Sequence, residues 1–277
     1  MGTRLSAGNP TTFRNAAQTF NADNQNTAET FDGSGNPTTY SGATLSFDPE
    51  SRMTAYGTAL TAGYTIDGLR AWKTNSSGTT YFLYDGITPI CEIDSTGAVS
   101  AVNTFGPTGL LSRHAGTSSI FYAFDPQGNP AEDVNSSDSV LASFDFDAFA
   151  ARSISGTATD PYSGFGSQYG YYSDTETGLQ LLGYRYYDPV QGRFVNRDPI
   201  GMAGGTIVYG YVGNDAARWV QQLCLVLTRS ELGTIERKLG KAEEAPNPCV
   251  TTPGVKCAPK VWSRWLAAGS GRRRSSV

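Results

Sequence analysis

The sequence predicts an all-β protein built as a repeat array. Aromatic–aspartate pairs recur at nearly even spacing, and turn-forming Gly, Pro and Asn separate short segments rich in Thr, Ser and Tyr. Few windows before residue 215 carry the period of an amphipathic helix. Aromatics are 12% of the 277 residues and charged residues only 17%, a balance suited to strands with one buried face.

The pairs are Phe31-Asp32, Phe47-Asp48, Tyr84-Asp85, Phe124-Asp125 and Phe144-Asp145, with Tyr64-Thr65-Ile66-Asp67-Gly68 as a looser copy. Their aspartates step by about 20 residues, and Phe105-Gly106-Pro107-Thr108-Gly109 fills the one double step. In each copy the aromatic is expected to end a strand and pack inward, while Asp with the following Gly or Pro closes a turn. A lone hairpin of this kind is marginal in water, so stacked neighbours must bury its aromatic face.

The hairpin pattern is densest from Gly178 to Gly201. Tyr184, Tyr186 and Phe194 alternate with polar residues as in half-buried strands, and Asp188-Pro189, Gln191-Gly192 and Asp198-Pro199 are turn formers. This run reads Gly-Leu-x-x-Leu-x-x-Arg-Tyr-Tyr-Asp-Pro-x-x-Gly-Arg-Phe-x-x-x-Asp-Pro-Ile-Gly, continued by Gly204-Gly205 and by Tyr209 to Asp215. It resembles the Rhs-associated core of Rhs/YD-repeat proteins. The resemblance rests on Tyr184, Arg185, Tyr186, Tyr187, Asp188, Pro189, Gly192, Arg193, Phe194, Pro199, Gly201, Tyr209 and Tyr211, which it casts as structural core.

That resemblance implies a YD-repeat array over 1–160, the core motif over 161–215 and a variable tail over 216–277. It also implies a β-ribbon that spirals into a hollow shell, with the motif sealing one end and a C-terminal toxin held inside. The partners would be upstream repeats of a longer chain and that enclosed toxin, and the location secreted or envelope-associated. Some relatives of this kind resemble intramolecular aspartyl proteases. Carried onto this sequence, Arg197-Asp198-Pro199-Ile200-Gly201 matches the first part of such an apparatus, with Asp198 as one carboxylate and Asp188 or Asp215 as the nearest partners. Such chemistry needs two carboxyls sharing a proton. A rival reading is an extracellular carbohydrate- or cell-binding module, with Tyr169-Gly170-Tyr171-Tyr172 as a platform for sugar faces.

After Asp215 the chain changes character. All 15 Tyr and all 13 Phe precede it, and net charge passes from −11 over residues 1–215 to +7 over the remainder. The family pattern breaks inside the motif: no Pro follows Asp215, and no second Asp-Pro-x-Gly-Leu appears. The position of this break favours a reading-frame shift or truncation over an orderly domain junction. A displaced fragment without independent activity is a third reading. Leu223 to Leu239 has the pattern of one amphipathic helix weakened by Gly233, and Arg272-Arg273-Arg274 reads as a solvated basic end rather than a nucleic-acid site.

Several chemistries have no support. His114 is the single histidine, it lacks a Gly-x-Ser-x-Gly elbow, and it reads as a surface loop residue. Cys91, in a predicted strand, and Cys224, Cys249 and Cys257 form no Cys-x-x-Cys pair, so zinc spacing is missing. Glycine runs such as Gly201 to Gly205 lack the Gly-Lys-Ser/Thr ending of a phosphate loop, and no cofactor is expected. Met1 to Arg4 precedes no apolar run, which predicts no signal peptide, and no stretch is long enough to cross a membrane as a helix.

Overall fold

Side-chain carboxyl and amide groups set the turns. Oδ1 of Asp32 accepts the amides of Ser34 and Asn36, Oδ1 of Asp48 those of Glu50 and Arg52, and Oδ1 of Asp125 those of Gln127 and Asn129. Asn21, Asp94, Asn135 and Asp147 close their loops with the same pair of bonds, to the second and fourth residues beyond. Each loop carries a left-handed residue at its fourth position, such as Gly35 at φ 83° and Gly128 at φ 84°. An Asx side chain standing in for a backbone turn explains why Asp recurs with the array.

The computed structural model describes residues 18–158, 160–199, 201 and 207–211. One compact unit takes in 1–199 and 209–226; the second, 200–208 with 227–277, contributes only 201, 207 and 208 to the described residues. Two antiparallel sheets make up the first unit. The larger, here the wall, is a meander of thirteen strands in chain order. They are β1 (Thr39–Tyr40), β2 (Ala43–Phe47), β3 (Met53–Tyr56), β4 (Leu60–Tyr64), β5 (Arg70–Asn75), β6 (Gly78–Asp85) and β7 (Thr88–Asp94), then β8 (Val99–Gly106), β9 (Gly109–Ala115), β10 (Ser118–Phe124), β11 (Pro130–Asn135), β12 (Val140–Phe146) and β13 (Arg152–Gly156). The smaller sheet holds β14 (Tyr172–Asp174), β15 (Leu179–Leu182), β16 (Arg185–Asp188) and β17 (Arg193–Phe194). A single 3-10 turn, Ser167–Tyr169, precedes it.

The strand-ending aromatics behave as expected at Phe47 and Phe124, each followed by an Asp loop. Three copies differ. Phe144-Asp145 lies inside β12, and the loop is closed two residues later by Asp147 after Phe146. Thr65 rather than Asp67 holds the next loop, its Oγ1 accepting the Leu69 amide at 3.2 Å. Asp85 belongs to β6, which turns through Gly86 and Ile87 without an Asx loop. His114 is exposed but sits on β9 rather than in a loop, its Nδ1 2.9 Å from Ser119 Oγ. Cys91 lies on β7, as the strand prediction had it.

A second correction concerns the motif strands. Every residue of β15 and β16 is buried, so these strands are covered on both faces rather than half-buried. Tyr186 packs in a cluster with Leu45, Met53, Leu60, Phe82 and Leu110 of the wall. Tyr187, its neighbour, points the other way into a cluster with Phe165, Leu182, Phe194 and Tyr211. The period of two along a strand delivers the two rings to the two clusters. The tail helix, Cys224, Cys249, Cys257, Asp215 and Arg272 to Arg274 lie outside the described residues.

Because both rings are fully enclosed, Tyr186→Ala and Tyr187→Ala should each cost about 3 to 5 kcal/mol in chemical denaturation. Replacing Arg272, Arg273 and Arg274 together should leave the midpoint unchanged.

Candidate functional site

In a meander, alternate connections fall at the same end of the sheet. The loops at 32–36, 48–52, 65–69, 125–129 and 147–151 therefore form one row along an end of the wall, with the short β6–β7 and β8–β9 connections between them. The motif engages this row position by position. Tyr209 donates to Gly35 O at 2.7 Å, Asn196 to Ser51 O at 2.7 Å and Tyr187 to Phe149 O at 2.8 Å. The Gly166 amide donates to Asn129 Oδ1 at 2.9 Å, and the Gln168 amide to Gly128 O at 3.2 Å. Arg193 reaches the earlier loop at 21–25, donating to Asn24 O at 2.6 Å between the rings of Phe20 and Tyr209. Three loop glycines leave no room for a side chain: a β-carbon on Gly68 would meet Tyr184, on Gly109 Gln168, and on Gly128 Tyr169.

Behind the row, buried charges join the two sheets. Arg70 on β5, 1% exposed, donates through Nη1 to Asp174 Oδ2 at 2.5 Å and to Tyr186 Oη at 2.8 Å. Its guanidinium lies against the rings of Phe82 and Tyr172. Lys73 Nζ takes the other Asp174 oxygen at 2.7 Å and reaches Glu176 at 3.0 Å. A second cluster centres on Arg113 of β9, which grips Glu92 with two nitrogens at 2.6 and 2.8 Å and pairs with Asp160 at 3.1 Å. Tyr40 of β1 donates to Asp188 Oδ2 at 2.8 Å. Burial alone would raise the Asp174 carboxyl, but Arg70 and then Lys73 outweigh it and hold it below the usual carboxylate value.

The residues singled out from sequence occupy distinct places in this arrangement. Arg185, 3% exposed at its side chain, pairs with Asp198 at 3.0 Å and lies 3.6 Å over the Phe194 ring. Asp188 spends Oδ1 on the amides of Val190 and Gln191 and Oδ2 on Tyr40. Asp188 and Asp198 thus take different partners. Arg197 is exposed, its stem beside Gly35. Pro189 and Gly192 flank the β16–β17 turn, while Pro199 and Gly201 lie beyond β17. Tyr171 and Tyr172 are buried, 2% and 8% exposed, so their faces are not open to a sugar, and Tyr169 is half-buried. Among the described residues no cluster of His, Cys, Asp or Glu suits a metal ion, and no helix is long and apolar enough to cross a membrane.

Sequence reasoning missed Arg70, Glu92, Arg113, Asp160 and Asp174. Their only signal is a charge at an inward position of a strand, and that is visible only once the register is known.

No family model matches the chain. Double-stranded DNA deaminase toxin A of Burkholderia cenocepacia strain H111 is 29% identical over 168 residues, covering 58% of this chain and 11% of the relative. The probable deoxyribonuclease RhsA of Dickeya dadantii strain 3937 is 53% identical over 47 residues, 17% of this chain and 3% of the relative. The crystal structure of TcdB2-TccC3 superposes with a TM-score of 0.55 at 19% identity, covering 70% of this chain and 11% of that one. The many-stranded antiparallel sheet matches the fold of that structure and defines the class: an all-β array of YD-repeat type. The relatives named Rhs and this likeness of fold support an Rhs/YD-repeat protein.

Asp174→Asn would leave Arg70 without its anion and Lys73 with Glu176 alone. A loss of about 3 to 5 kcal/mol is expected, as for a broken buried pair. Since the Asp174 carboxyl is depressed in the folded state, its stabilisation is complete above the ordinary carboxylate value. It is lost as pH falls through and below that value. Acid unfolding followed by circular dichroism should therefore begin at higher pH in wild type than in a background where Arg70, Lys73 and Asp174 are replaced together by apolar residues.

Proposed function

We propose that this chain is a wall-and-seal segment of a toxin-enclosing β-shell, with residues 1–160 as wall, 161–215 as end seal and 216–277 as a variable tail. The supporting observation is the row of contacts from the motif to the loops at one end of the wall, from Asn24 to Phe149. A motif serving only as another repeat would pair edge to edge with the wall. This one covers the wall's face and closes a row of turns. Relatives named as toxins fit the same reading. Because the chain spans 11% and 3% of the two curated relatives, the rest of the shell, upstream repeats and the enclosed toxin belong to a longer polypeptide in this proposal. Secretion or envelope association is part of the same proposal, supported by relatives named as toxins. Electron microscopy of the full polypeptide should show a hollow closed particle with this segment at one end. A solid or open ribbon would remove the enclosure reading.

Self-cleavage is a second reading, favoured by one observation: the buried Arg185 guanidinium holds the Asp198 carboxyl in a fixed position at 3.0 Å. Under this reading the intact mass of wild type is that of two fragments, cut after the motif, while Asp198→Ala stays whole. Two uncut chains would leave the structural reading alone. For the carbohydrate-binding alternative, glycan-array binding that survives Tyr169→Ala would exclude the 169–172 platform.

A further inference from the structure

The chain leaves the wall after β13 and enters the motif through residues 157–166, and the polar anchoring of this linker is unusual. Asp133 on β11 is 1% exposed and accepts one hydrogen bond, from Ser163 Oγ to Oδ2 at 2.6 Å. Its Oδ1 is buried with no partner. Among the described residues no cation forms an ion pair with it; Arg152 of β13, whose charge acts on it, donates instead to Ser163 O. A buried carboxylate without a cation is costly, whereas a carboxylic acid in the same place is tolerated.

The linker carries a second carboxyl. Asp160 accepts from Tyr122 Oη of β10 at 2.7 Å and from the Tyr162 amide at 2.9 Å, and it pairs with Arg113 of β9. Glu92 of β7 takes the other two nitrogens of Arg113, so the two acids share one guanidinium. The charged and titratable groups facing this junction are therefore Asp133, Asp160, Glu92, Arg113, Arg152, Tyr122 and Tyr162, with three acids against two bases.

We propose that Asp133, with Asp160 beside it, is a proton-operated latch that seats the linker, and through it the motif, on the wall. When Asp133 takes a proton from water, Ser163 and the linker sit against a neutral group. When it gives that proton back, an uncompensated charge is left in the seam and the linker lifts to hydrate it. Two physical effects favour the neutral form. Burial, and then the charge of Asp160, raise the Asp133 carboxyl to about 6 against the bonding of Ser163 and the charge of Arg152. Asp160 itself is raised, by burial above all. For an acid raised in the folded state, stability is greatest below the ordinary carboxylate value, falls as pH climbs to about 6, and is flat beyond. The latch is thus tight in mild acid and slack at neutral pH, opposite in sign to Asp174. It adds to the shell reading but does not rest on it, since it concerns only how the two sheets meet.

The test is a carboxyl-carbon NMR titration of the full chain labelled at Asp, with backbone amides followed in parallel. Expected are a midpoint for Asp133 near 6, the amides of 160–166 moving with that midpoint, and their hydrogen-exchange opening rising roughly tenfold for each unit between the ordinary carboxylate value and that midpoint, then levelling off. Asp133→Asn should hold those amides at their acid-form positions at every pH. Asp160→Asn should move the Asp133 midpoint downward, and it decides the matter if the first variant does not fold. A midpoint for Asp133 in the ordinary carboxylate range, linker amides indifferent to its titration, or an unmoved midpoint in Asp160→Asn would each overturn the latch.

Discussion

The structure depends on a constraint at the face where the wall meets the motif: this surface must exclude water, yet it contains Arg70, Lys73, Glu92 and Arg113. Buried charges without partners cost several kcal/mol each, so whatever covers the wall must bring the matching groups. The motif and its linker do so with Asp174, Asp160 and the hydroxyl of Tyr186. Apolar burial at Leu60, Leu110 and Leu181 supplies attraction but little register, because such contacts tolerate sliding. Direction and spacing of the ion pairs fix which strand of the motif lies over which strand of the wall.

A second layer of specificity comes from backbone carbonyls. A closed Asx loop turns its own amides inward to the Asp, while its carbonyls at Gly35, Gly128 and Phe149 face the motif. Tyrosine hydroxyls and amides of the motif find these carbonyls. The same aspartates that make the wall repetitive thus present a repeated row of acceptors at one end, and the motif is built to occupy it. Protonation enters at two places with opposite sign. Asp174 stabilises as a charge and Asp133 as a neutral acid, so the two places in the seam respond to pH in opposite directions.

Much of the fold was legible in the sequence because it follows from local chemistry. The Asx loops at Asp32, Asp48 and Asp125 need only one side chain and the residues just after it. Where another residue takes over, as Thr65 does for Asp67 and Asp147 for Asp145, spacing alone misplaces the turn. The motif residues Tyr184 to Phe194 were legible as a group, but not their full enclosure, since alternation of Tyr with Arg and Asp looks like one wet face. Arg185 and Asp188 are in fact buried with partners far along or across the chain. The charges of the seam were illegible for the same reason: Arg70 meets Asp174 only after the motif folds back over β5, and nothing near Arg70 in sequence announces it.

The central claim is that wall and motif are one cooperative unit joined through this seam. Hydrogen exchange of the full chain, resolved to β5, β9, β15 and β16, tests it most directly. A common slow opening is expected for all four strands, with Asp174→Asn accelerating them together by the same factor. If β15 and β16 opened on their own, at a faster rate that Asp174→Asn left unchanged, the motif would be an appendage and the seal an accident of packing.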